Sequence, residues 1–148
     1  MRKRVNHFMA LILAGVMVLG FIFIGPGQTA QAVSKTTSFT FKSGLGPSKS
    51  YIHTSDNYKN VYATIELGSV SNGWGSAAYC KLYLQRYTKG SWKTIDSASG
   101  YADYKKRLNV TFSNIAKKSA STRVKVKLYN NWKHSELMQT VYSSKWTR

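Results

Sequence analysis

Beyond residue 33, apolar and polar side chains alternate one by one along most of the chain. Phe39 and Phe41 alternate with Ser38 and Thr40, and Val61, Ala63, Ile65 and Leu67 with Tyr62, Thr64 and Glu66. Cys80, Leu82 and Leu84 alternate with Lys81, Tyr83 and Gln85. Thr88-Lys89-Gly90-Ser91 reads as a turn, and Trp92–Ile95 as a short return strand. Leu108, Val110 and Phe112 alternate with Arg107, Asn109 and Thr111, and Val124, Val126 and Leu128 with Arg123, Lys125 and Lys127. A last run covers Leu137–Tyr142. A period of two places successive side chains on opposite faces of a half-buried strand. Between these runs lie turn-rich pieces at 43–50, 68–76, 97–104, 114–121 and 130–136. No segment carries a helical period. Short strands with turns at close intervals predict an all-β fold, a single small antiparallel β-sandwich.

The first 32 residues break the pattern. Arg2, Lys3 and Arg4 are followed by an apolar run from Phe8 to Ile24, then Gly25-Pro26-Gly27 and Ala30-Gln31-Ala32. This is the order of a secretory signal with an A-x-A cleavage site before Val33. The run is short for a membrane anchor and is followed at once by small polar residues. The style of the signal points to a Gram-positive bacterium. The mature chain is then residues 33–148, one domain, secreted into the medium or held at the cell wall. Its single cysteine, Cys80, rules out an internal disulfide. Lying in an apolar strand-like stretch, Cys80 reads as a buried structural thiol, with an intermolecular disulfide or reactive thiol as the alternative.

Charge changes the picture most. The whole chain carries 22 Lys and Arg against five Asp and Glu. Removing Arg2, Lys3 and Arg4 leaves 19 against five, a net +14 on the mature domain. A net charge of roughly 2–8 satisfies the solubility of a small domain. The excess attracts polyanions, which outside a cell are wall polymers, anionic lipid and free nucleic acid.

Two segments resemble a known pattern. Y-L-Q-R-Y-T-K-G-S-W-K-T-I (83–95) resembles the C strand, turn and C′ strand of immunoglobulin-like and fibronectin type III-like domains. L-N-V-T-F-S-N-I-A-K-K-S-A-S-T-R-V-K-V-K-L-Y-N-N (108–131) is similar to their E strand, E–F corner and F strand. Thr122 stands where those domains carry a tyrosine, and the corner proline and paired cysteines are absent. The resemblance implies that the B–C, C′–E and F–G loops share one end of the sandwich. Those loops carry Trp74, then Tyr101 and Tyr104 before Lys105-Lys106-Arg107, then Trp132-Lys133-His134. Rings beside cations suit a polyanion containing sugar, since rings stack on flat faces and Lys or Arg meets phosphate or carboxylate. The alternative is that these rings fold back and cap the sandwich.

The row Arg123, Lys125, Lys127 faces water if Val124, Val126 and Leu128 face the core. Lysines there can simply discourage edge-to-edge aggregation. The large net charge instead favours a row that meets an anion.

Catalytic chemistry has little to work with. The mature chain has two histidines, His53 and His134, and no metal-spaced cluster, H-E-x-x-H or G-x-S-x-G motif. No catalytic residue, metal ligand or cofactor is assigned. The enzymatic alternative is a small ribonuclease pairing His53 or His134 with Glu66 or Glu136. The sequence reads as a secreted cationic binder of anionic cell-surface polymer such as teichoic acid or acidic polysaccharide, with a possible antimicrobial effect. Its partner is that polymer or an anionic membrane surface, with non-specific nucleic-acid binding. A membrane-perturbing toxin is the alternative, although no long amphipathic helix or insertion segment is visible.

Overall fold

Lys89 and Gly90 both adopt positive φ, 51° and 78°, and together turn the chain back on itself. This is the backbone that joins two twisted strands through a two-residue loop. The computed structural model describes residues 34–70 and 75–148. The predicted export signal and its cleavage site lie outside the described residues.

Nine strands follow one another: β1 (Ser34–Ser43), β2 (Gly46–Asp56), β3 (Val61–Glu66), β4 (Ala77–Thr88), β5 (Ser91–Asp103), β6 (Leu108–Phe112), β7 (Ser121–Tyr129), β8 (Leu137–Tyr142) and β9 (Trp146–Thr147). They form two antiparallel sheets, ordered β1-β2-β3-β6 and β5-β4-β7-β8, with β9 also paired to β7. No helix occurs among the described residues. The protein is a small all-β sandwich. Phe41, Ile52, Val61, Ile65 and Phe112 of the first sheet meet Cys80, Leu82, Leu84, Val124, Val126 and Leu128 of the second in one buried core. The alternation therefore sorts side chains as expected. Cys80 is fully buried, and burial pushes its thiol up to about 12, so it stays protonated at neutral pH.

Two stretches differ from the sequence reading. Residues 43–50, read as turn-rich, contain a turn only at Gly44-Leu45. From Gly46 the chain is already in β2 and paired with β1. The inward positions of β2 include Ser48, Ser50, Thr54 and Asp56, so its apolar alternation is lost although its burial alternates. Those hydroxyls find partners inside: Ser48 Oγ lies 2.8 Å from Ser76 Oγ, and Ser50 Oγ accepts from the Gly68 N–H at 3.2 Å. The second stretch is 97–104. Here β5 continues through Ser97, Ser99 and Gly100 to Asp103, and the turn begins at Tyr104. Gly100 is a site of close approach, since a Cβ there would lie 2.6 Å from Leu108 Cδ1 and the leucine would have to shift.

One end of the sandwich is closed by a buried ion pair. The Arg148 side chain is fully buried, and its Nη1 donates to Asp56 Oδ2 at 2.6 Å and to the Asn57 carbonyl at 2.8 Å. Its Nη2 donates to the Ile115 carbonyl at 2.6 Å. Arg86 reaches the neighbouring Ala116 carbonyl. Desolvation, with Arg148 nearby, holds the Arg86 guanidinium below its ordinary pKa. Removing one partner of a buried pair strands the other charge. Arg148→Ala is expected to cost about 3–5 kcal/mol in denaturant unfolding. The double variant Asp56→Leu/Arg148→Met is expected to recover most of that loss. Equal instability of both would show that packing, and not the stranded carboxylate, carries the effect.

Candidate functional site

Cross-strand register assembles the site on the outer face of the β5-β4-β7-β8 sheet. Residues paired across neighbouring strands point to the same face. Val124, Val126 and Leu128 are buried, so Arg123, Lys125 and Lys127 stand on the outside. In register with them on β4 are Gln85, Tyr83 and Lys81, and Tyr79 pairs with Tyr129. On β5, Ser97 and Ser99 lie beside Tyr83 and Lys81, and Tyr101 beside Tyr79. On β8, Tyr142 pairs with Lys125 and Thr140 with Lys127. The face is a field of alternating rings and cations.

Arg123 is its most constrained cation. Its guanidinium carbon lies 4.0 Å from the Trp92 ring centre and 4.2 Å from that of Tyr142. Its Nε donates to Gln85 Oε1 at 3.0 Å. A guanidinium held between two rings keeps its planar donor edge in one orientation. Lys145 Nζ lies 5.7 Å from the Trp92 ring, Lys81 Nζ 4.8 Å from Tyr129 and Lys127 Nζ 6.0 Å from Tyr83. The rings therefore hold cations of the protein itself. None of Arg123, Lys125, Lys127 and Lys81 is ion-paired among the described residues. The acids are engaged elsewhere: Asp56 with Arg148, Glu66 with His53 and Arg107, Asp96 on the Ser97 N–H, Asp103 on the Lys105 and Lys106 N–H groups, and Glu136 with Asn130.

The loop residues predicted to share one end do so in part. Tyr79 stacks on His134 with ring centres 4.2 Å apart and planes at 10°. The Tyr101 hydroxyl bonds to His134 Nε2, tying the end of β5 to the β7–β8 loop. Tyr104 packs its ring on Gly75, where a Cβ would overlap it, and its N–H donates to the Ser76 carbonyl at 2.9 Å. Lys105 Nζ sits 5.2 Å from the Tyr104 ring, and Lys106 is exposed. Trp132 is 91% exposed on an Asn130-capped turn, beside exposed Lys133. Trp74 lies outside the described residues. Arg107 departs from the group, since its Nη2 meets Glu66 Oε2 at 2.8 Å on the first sheet. Sequence reasoning missed Tyr79, Lys81, Tyr83, Trp92 and Tyr142. Their signal, a polar-face position on a strand, identifies them only once the register is known.

The first sheet carries a separate polar relay. Thr36 Oγ1 lies 3.0 Å from His53 Nδ1, and His53 Nε2 donates to Glu66 Oε2 at 3.0 Å. This chain can orient a proton on the imidazole, but on an open sheet face with His53 partly exposed. His134 and Glu136 do not pair: Glu136 accepts from Asn130 Nδ2 at 3.2 Å. Among the described residues, no group of His, Cys, Asp and Glu has metal-site geometry.

Comparison with protein-family models, with curated proteins and with solved structures yields no match for this chain.

The hydrogen bond from His53, helped by Arg107, holds the Glu66 carboxyl below its ordinary value of 4.5, against a smaller opposing effect of burial. A depressed carboxyl contributes stability above its unfolded pKa and loses it as pH falls through the folded one. Wild type is therefore expected to lose this contribution below about pH 4.5. In Glu66→Gln that acid-side component is expected to be absent when unfolding is measured from pH 7 to pH 3. An identical pH dependence in both proteins would exclude the pair as its source.

Proposed function

We propose that this protein is a small secreted cationic binding protein that attaches to anionic polymers of a cell surface through the outer face of the β5-β4-β7-β8 sheet. One observation carries the reading: among the described residues Arg123, Lys125, Lys127 and Lys81 are free of carboxylate partners, and all but Lys125 lie against aromatic rings. In most protein surfaces opposite charges are interspersed, which lowers the local potential. Here the acids lie in the core, at the sheet ends and on the other sheet, except Asp96, which stands within β5 in register with buried Leu84 and accepts from the Ser97 N–H. The potential of the face adds to that of a domain with net charge +14 after the predicted cleavage. Pre-set cations also lose less side-chain entropy on binding than free lysines do.

An immunoglobulin-like connectivity belongs to the same proposal. Strands β4, β5, β7 and β8 take the places of C, C′, F and G, and β2, β3 and β6 those of A, B and E. The order β5-β4-β7-β8 beside β2-β3-β6 supports this, with β1 as an added edge strand.

A second reading rests on the His53–Glu66 relay with Arg107 beside it, the arrangement a ribonuclease needs for acid–base chemistry next to a phosphate. The two are separated by a salt-titrated pull-down of mature protein on purified cell wall, with and without its anionic polymer. Anionic vesicles, DNA and RNA run in parallel. Wall binding is expected to need the polymer and to survive about 0.15 M salt, where the Debye length is ~8 Å. Arg123→Ala is expected to weaken it about tenfold, the size of one lost charge-assisted hydrogen bond. Equal binding to all polyanions, lost at that salt, would reduce the face to generic charge. Dye release from the vesicles would move the function to membrane damage. RNA cleavage abolished by His53→Ala would move it to the relay.

A further inference from the structure

We propose that this face selects a linear phosphodiester polymer of small polyol units over carboxylated polysaccharides and over nucleic acid. The inference rests on the surface-binding reading above and narrows its ligand.

Spacing is the first argument. Arg123, Lys125 and Lys127 occupy alternate positions of one unbroken strand. At ~3.3 Å per residue, cations recur about every 6.6 Å along it. A three-carbon polyol phosphate carries one monoanionic phosphate per six backbone bonds, about 7 Å in an extended chain at ~1.2 Å per bond. Charge and pitch therefore keep step over the whole row. A nucleic-acid strand has the same number of backbone bonds between phosphates, so pitch does not set it apart; its bases do. In acidic polysaccharides the ring fixes the step between carboxylates, and the rigid ring cannot adjust to the row.

The second argument is what the rings are doing. Base recognition on an open face needs free aromatic surfaces. Here Trp92 is contacted by Arg123, Lys145 and Tyr87, Tyr142 by Arg123, Tyr129 by Lys81, and Tyr79 by His134 and Tyr101. Trp92, Tyr142 and Tyr129 serve as supports for cations, and Tyr79 is packed against other rings. A ligand without bases loses nothing by this.

The third argument is shape. Ser97 and Ser99 are short, so β5 leaves a depression of about 220 Å³ lined by Lys81, Tyr83, Ser97, Ala98 and Ser99. It lies one strand beyond the cation row, since β4 separates β5 from β7. It is wide enough for a slim polyol and offers hydroxyls to its oxygens. Lys81 stands in register with Lys127 between row and depression. The Arg123 edge, held flat by two rings and bonded only through Nε among the described residues, supplies two parallel donors for one phosphate.

The test measures binding of mature protein, at physiological salt, to poly(glycerol phosphate), to polygalacturonate of matched length and to a single-stranded oligodeoxynucleotide. Poly(glycerol phosphate) is expected to bind at least tenfold more tightly than either. Lys125→Gln and Lys127→Gln are each expected to reduce the log–log salt slope by about 0.7, the value for one single-strand phosphate contact. Lys117→Gln and Lys118→Gln, with the same loss of charge on the exposed β6–β7 loop, are expected to leave slope and affinity near wild type. Arg123→Lys keeps the charge and loses the planar fork, and is expected to bind several-fold more weakly with an unchanged slope. Unfolding midpoints of all variants confirm that each is folded. Equal or tighter binding of polygalacturonate overturns the phosphodiester selection and leaves the surface-binding reading standing. Tighter binding of the oligonucleotide overturns it in favour of nucleic acid. No binding to any of the three overturns both.

Discussion

A β-strand has two faces and a fixed parity, and in β7 that parity holds the structure together. Val124, Val126 and Leu128 are buried on one side while Arg123, Lys125 and Lys127 stand on the other. A slip of one residue against β4 would exchange the two sets. It would drive three cations into the core and put three aliphatic side chains in water. The pairing that builds the core therefore also fixes which face each cation stands on. The arrangement of the outer face is in this sense a by-product of burial.

The rings refine that arrangement. Tyr83, Trp92, Tyr129 and Tyr142 come from three further positions of the register and from the end of β7 itself, and each lies against a cation. Contacts of this kind are worth about 0.5–2 kcal/mol each, according to how far they are desolvated. They also limit the rotamers open to long basic side chains. The charge of this face is therefore presented in a narrow set of positions, unlike that of the exposed lysines at 117 and 118.

Much of this was legible in the sequence, and the gaps have physical causes. Wherever the inward positions are aliphatic, as in β3, β4, β6 and β7, alternation locates the strand. It fails in β2, whose inward face carries Ser48, Ser50, Thr54 and Asp56, because buried hydroxyls and a paired acid look like loop chemistry in one dimension. It fails again at Ser97–Gly100, where small residues sit in a strand at a site of close approach. Loop order put Tyr101 and His134 at one end of the sandwich as an expectation, and their hydrogen bond is seen only in the structure. The seat of Arg123 between Trp92 and Tyr142 could not, since it depends on two registers at once. The pairing of Arg107 with Glu66 was equally out of reach, since it follows from the register that sets Leu108 beside Ile65.

The Asp56–Arg148 pair joins residues 92 apart in the chain. Until Arg148 arrives, Asp56 has no reason to leave water, and the strand carrying it has an incomplete partner surface. Contacts of such long range close slowly, and folds dominated by non-local pairing reach the native state in about milliseconds to seconds, not microseconds. Without Arg148 in place this corner remains open. This corner therefore closes only after strands far apart in the chain have met, so the pair seals the sandwich and does not start it.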